Sequence, residues 1–133
     1  MGVKGAIKMS NEMNQKTEET LKEATKNLLS AARNADVEEV ARLMQKGADV
    51  NAADIFGRTP LMYAFIYAIV NKQNPGIIRA LLDNEADVNV ADNNGCTPLM
   101  YALVNAIVNR QNPDVIRALL DNGADVNATG DPL

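Results

Sequence analysis

The residues of this 133-residue chain that first invite chemistry are Cys96 and the carboxylates beside it. A lone thiol becomes a nucleophile when a cationic neighbour lowers its pKa. No basic residue stands next to Cys96 in the chain, so it reads as an exposed, inert thiol. Asp87 and Asp92 with Asn89, Asn93 and Asn94 have the composition of a calcium loop. The Asp-x-Asn-x-Asp-Gly order is broken, however, and Pro98 stands where the bidentate Glu belongs, so these side chains read as turn caps. The chain has no His, which removes Ser-His-Asp triads, Cys-His pairs and the usual zinc sites. No glycine-rich phosphate loop is present. The expectation is no catalytic residue, no metal ligand, no cofactor and no enzyme activity.

Thirteen Lys and Arg against 17 Asp and Glu, a net charge of -4, argue against a grip on phosphate backbone and so against nucleic acid as partner. The single Cys excludes an internal disulfide and fits a reducing compartment, so a cytoplasmic location is expected. The longest apolar run, Leu61 to Val70, is about half of the roughly 20 residues that cross a bilayer, and no membrane partner is expected. The N-terminus lacks a secretory signal, which leaves the Asn127-Ala128-Thr129 sequon little meaning. Met1-Gly2 starts a myristoylation pattern that Ala6 breaks, and Met9-Ser10 is an alternative natural start.

What must position these residues is a repeat. Asp54 to Ala91 overlays Asp92 to Thr129 at a spacing of 38 with 26 identities and no gap. Gly57-Arg58-Thr59-Pro60-Leu61-Met62-Tyr63-Ala64 returns as Gly95-Cys96-Thr97-Pro98-Leu99-Met100-Tyr101-Ala102, and Ala-Asp-Val-Asn starts at Ala48, Ala86 and Ala124. Residues 1–16 read as a leader or the start of an N-terminal helix. Residues 17–133 read as one domain in units of about 17–53, 54–91 and 92–129.

Each unit has a derivable form. Thr59-Pro60 supplies an N-cap hydroxyl and a proline at the first helical position, where a missing N–H costs nothing. Leu61, Ala64, Phe65, Ala68 and Ile69 then form a helical stripe that ends near 71–73. Asn74-Pro75 opens a second helix whose Ile77, Ile78, Leu81 and Leu82 face back on the first. Asp-Val-Asn and the Asp-x-x-Gly sequence at 54–57 read as a hairpin-like finger that joins successive pairs. Upstream, the helix of Leu21, Ala24, Leu28, Ala31 and Ala32 reaches back to about Thr17 or Ser10, its charged face being plain solvated surface. It precedes a second helix that Asp36 and Glu39 would close with a capping box.

Asp-x-x-Gly-x-Thr-Pro-Leu at 54–61 and 92–99, with Gly-Ala-Asp-Val-Asn at 47–51 and 123–127, resembles the ankyrin repeat from about residue 28 onward. The resemblance implies an all-α fold: a short solenoid of antiparallel helix pairs with β-hairpin-like fingers. Three departures stand out. The period is 38 rather than about 33, which places five additional residues between Phe65 and Gln73 and between Leu103 and Gln111 and lengthens the inner helices of both full repeats. Met62 and Met100 replace the family's histidine, so the hydrogen bonds it makes across the helix start must be replaced or absent. Glu85 stands where Gly47 and Gly123 end their helices, and a left-handed non-glycine costs about 1–2 kcal/mol, so a distorted end is expected there.

The resemblance also implies a non-catalytic module that binds a protein partner through finger tips and the concave side of the inner helices. Residue by residue, this falls on Ile55, Phe56 and Arg58, on Asn93, Asn94 and Cys96, and on Ile66, Tyr67, Val104 and Asn105. Ile55, Phe56, Ile66 and Tyr67 with Arg58 have the make-up of a binding hot spot; the plain alternative is mutual packing of these side chains. The last unit keeps the apolar set of an internal one, where a solenoid end needs a polar face. Leu99, Ile107, Val108, Ile116, Leu119 and Leu120 are therefore expected either to self-associate, most simply as a homodimer, or to mark a piece cut from a longer array. A self-assembling structural protein is the alternative to the recognition module.

Overall fold

The computed structural model describes residues 22–67, 75–109, 113–128 and 130. The proline signals open helices where the sequence places them. Residues 22–34 are helical (α1), followed by α2 Val37–Gln45, α3 Pro60–Ile66, α4 Pro75–Asp83, α5 Pro98–Asn109 and α6 Pro113–Asp121. Thr59 caps α3, its hydroxyl accepting from the Met62 N–H at 3.4 Å. The matching hydroxyl of Thr97, at the start of α5, is buried without a partner among the described residues. Helices α1, α3 and α5 form an inner row and α2, α4 and α6 an outer one; α3 packs on α4 and α5, and α4 on α2 and α6.

One core runs through all three units, joining Leu28, Leu43, Leu61, Phe65, Ile77, Leu81 and Leu119 with small residues such as Ala64 and Ala102 between them. Burial of each large side chain contributes about 1.5–3 kcal/mol. The additional inner turn is realised in α5, which has 12 residues, whereas α3 has 7 and is capped at Tyr67. The expected run of the first inner helix through Ala68 and Ile69 to 71–73, the cap Asn74 and the reach of α1 toward Thr17 or Ser10 lie outside the described residues, as does the leader 1–16.

Two local expectations are corrected. Glu85 is left-handed, with φ 66°, yet its helix end is regular: the Glu85 N–H donates to Leu82 O (3.0 Å) and the Ala86 N–H to Leu81 O (3.1 Å). Gly47 and Gly123 make the same pair of bonds, so the strain stays in the φ angle. Asp36 caps α2 by accepting from the Glu39 N–H at 3.1 Å, but Glu39 does not complete a capping box. The Asp36 N–H already donates to Ala31 O, and the Glu39 carboxylate takes Arg42 instead. The fingers are hairpin-like as expected, without a strand among the described residues. Each is a tight turn closed by two backbone bonds: Asp54 N–H to Arg58 O and Gly57 N–H to Asp54 O, both at 3.0 Å, in the first, and Asp92 N–H to Cys96 O and Gly95 N–H to Asp92 O, both at 2.9 Å, in the second.

Candidate functional site

Each finger is ordered by one aspartate. Asp54 Oδ1 accepts from the N–H groups of Phe56 and Arg58, both at 2.9 Å, and Oδ2 accepts from the Tyr63 hydroxyl at 2.7 Å. Asp92 repeats the arrangement, with Asn94 N–H at 2.9 Å, Cys96 N–H at 3.0 Å and the Tyr101 hydroxyl. A tyrosine one helical turn into each inner helix thus supplies the tie between finger and helix that Met62 and Met100 cannot. Burial opposes charge on Asp54, but the bonds from Tyr63, Arg58 and Phe56 outweigh it and hold the carboxyl below its ordinary pKa. Asp92 is likewise lowered, by Tyr101, Cys96 and Asn94 against burial. Burial and the facing carboxylate push Tyr63 up to about 12 and raise Tyr101 as well.

The fingers stack. The Asn93 N–H donates to Phe56 O and its side-chain amide to Ile55 O, both at 3.0 Å. Gly57 lies beneath at φ 77°, where an added Cβ would stand 2.8 Å from Asn93 Oδ1. Below the fingers, Asn51 Oδ1 accepts from the Asp87 N–H and Asn89 Oδ1 from the Asp125 N–H, each at 2.7 Å. The loop aspartates and asparagines are therefore turn caps, as their sequence suggests, and several also tie one unit to the next. Among the described residues no group of three or more His, Cys, Asp or Glu could hold a metal ion.

On this frame the first finger presents Ile55, 86% exposed, and Phe56, 53% exposed. The Arg58 guanidinium lies 5.0 Å from the centre of the Phe56 ring. At the far end of α3, Ile66 and Tyr67 are half-buried. Arg33, from α1, lies 4.6 Å above the Tyr67 ring, which in turn stands 5.5 Å from Tyr63. Asn93 and Asn94 are exposed on the second finger and Val104 is half-buried on α5. Two expected surface positions are corrected. Cys96 is 0% exposed, drawn under the finger by its two backbone bonds with Asp92. Asn105 is half-buried, its amide donating to Phe65 O of the preceding unit, so it ties units together.

The end face is also smaller than expected. Leu99 and Leu119 are buried in the core and cannot serve as a surface, because the stripe that faces the partner helix is consumed within the unit. Ile107 and Leu120 are exposed and Ile116 is half-buried, while the side chain of Val108 lies outside the described residues. Leu103, passed over in the sequence, is 43% exposed where its counterpart Phe65 is 2% exposed. The signal was available in the register: residues 38 apart share a role, and the third unit has no fourth packed on it among the described residues. Arg33 was missed as well, because its partner Tyr67 lies in the next unit.

Helix pairs repeated at a fixed period over one continuous core, joined by stacked turns, define a helical-repeat solenoid. A family profile for ankyrin repeats, in three copies, matches residues 28–130, and the chain belongs to the ankyrin-repeat family. No curated protein matches it. Ankyrin repeats are generally protein–protein interaction modules and typically non-catalytic. No described helix is long and apolar enough to cross a membrane.

Proposed function

We propose that the chain recognises a partner protein, without catalysis, through its first finger and the concave side of its inner helices. The observation that carries this is the exposure of Ile55 and Phe56 on a finger otherwise pinned by Asp54, with Arg58 stacked on the aromatic ring. Rigid, exposed aromatic and arginine side chains are the usual anchors of interfaces. Ile66, Tyr67 and Val104 extend the surface along α3 and α5, and Asn93 and Asn94 border it. The single cysteine, which can form no internal disulfide, is the ground for placing the chain in a reducing cytoplasm.

A second reading, self-association through the terminal face, is favoured by the exposed Leu103, Ile107 and Leu120. Mutation separates the two. Phe56→Ala with Tyr67→Ala should abolish retention of a partner on the immobilised chain and leave its solution mass unchanged. Ile107→Asp should leave retention intact and dissociate any homodimer. Retention that survives the first pair of changes contradicts the proposed surface.

A further inference from the structure

The two arginine–aromatic pairs on this face say what it is built to hold. A guanidinium stacked on a ring keeps its N–H edge turned outward and pre-oriented for a planar oxyanion. The Arg33 guanidinium lies 4.6 Å over the Tyr67 ring and that of Arg58 5.0 Å over the Phe56 ring, distances at which such an arrangement is available to both. The ion pair among the described residues is elsewhere, between Arg42 and Glu39 on α2, and no described carboxylate lies within ion-pair distance of Arg33 or Arg58. The two acids of the fingers, Asp54 and Asp92, are engaged by backbone N–H groups and tyrosine hydroxyls; the Arg58 charge helps to hold both carboxyls low without forming an ion pair with either.

Charge is distributed to match. The chain carries -4 overall, and its outer side has an open groove of about 300 Å³ between α4 and α6, lined by Asp83, Asp114 and Asp121 against Arg79, the single cation among its described lining residues. Those carboxylates would repel an acidic partner, whereas Arg33 and Arg58 would attract one. The seven residues of α3 separate the two pairs, roughly 10 Å at 1.5 Å per residue. In an extended segment that is about three residues at ~3.3 Å each.

We propose, on the basis of the recognition reading above, that this face takes an acidic protein segment: an apolar side chain seated between Phe56 and Tyr67, flanked by two carboxylates held by Arg58 and Arg33. The test is selection of a displayed random linear peptide library on the immobilised full chain, followed by affinity measurements on the selected peptides. Enriched sequences should carry Asp or Glu bracketing an apolar residue. Arg33→Gln and Arg58→Gln should each weaken binding about tenfold, more at low salt than at high, while Arg79→Gln on the outer side changes nothing. Both arginines have exposed or half-exposed side chains, and unchanged circular dichroism of the variants shows that the fold is kept.

Uncharged or basic peptides that are lost with Phe56→Ala but indifferent to both Arg→Gln changes would overturn the acidic preference and leave the recognition surface standing. Retention of a single-stranded oligonucleotide in place of acidic peptides, lost in the Arg→Gln variants, would overturn it in favour of nucleic acid. Failure to retain any peptide or protein would overturn both readings.

Discussion

Asp92 accepts from three groups at once, two backbone N–H donors and the Tyr101 hydroxyl, so its removal leaves all three without their acceptor. Asp92→Ala should cost about 2–3 kcal/mol in urea denaturation, and Tyr101→Phe, which keeps the ring, about 1 kcal/mol. The same lock sets the response to pH. Asp54 and Asp92 have folded pKa values below those of the unfolded chain, so the stability they confer is complete above the ordinary carboxylate pKa of about 4 and falls as pH drops through the folded values. Tyr63 and Tyr101 are raised, so their contribution is complete below about pH 10 and is lost as pH rises toward the folded values, about 12 for Tyr63. Denaturation midpoints followed across pH should therefore fall at both ends, and the alkaline fall should shrink in the double Tyr63→Phe, Tyr101→Phe variant. Glu85 gives the opposite sign of change: with φ 66° and a regular helix end, Glu85→Gly should stabilise by about 0.5–1 kcal/mol, a rise of about 3 °C in Tm.

At the scale of elements, the fingers owe their stacking to Gly57, whose left-handed backbone and close approach to Asn93 leave no room for a side chain. Gly57→Ala should destabilise by about 2 kcal/mol and disorder Ile55 and Phe56 together, visible as faster amide exchange at Asn93. Helix starts were legible in the sequence because cap and proline are adjacent residues and their physics is local: Pro60, Pro75, Pro98 and Pro113 all begin helices. The lock between Asp54 and Tyr63 was not, since it joins residues nine apart through a turn and the first turn of a helix. Its trace in the sequence is the return of the same pair at Asp92 and Tyr101. The Glu39 capping box failed for a similar reason, as the N–H it needed was already held by Ala31 of the preceding helix.

For the whole molecule, the period of 38 and the apolar stripes specified the solenoid, while the surface was legible only where a residue's neighbours lie in its own unit. Ile55 and Phe56 protrude as expected; Cys96, Asn105, Leu99 and Leu119 do not, because contacts within the finger, with the preceding unit or with the core take them inward. Leu103 and Ile107 remain uncovered, and their burial between two copies would remove apolar area from water at about 25 cal/mol per Å². Light scattering over a wide concentration range reads this directly: self-association gives a mass of twice 14.3 kDa that Ile107→Asp reduces to the monomer, and a constant monomer mass removes the dimer.

Recognition of a partner protein on the fingers and inner helices is the proposed function. It is tested most directly by photo-crosslinking in cell extract with benzoylphenylalanine in place of Phe56, Tyr67 or, as the outer-side reference, Arg79. The same discrete heterologous adduct is expected from positions 56 and 67 and none from position 79. Equal labelling at all three positions, or an adduct only with a second copy of this chain, would contradict it.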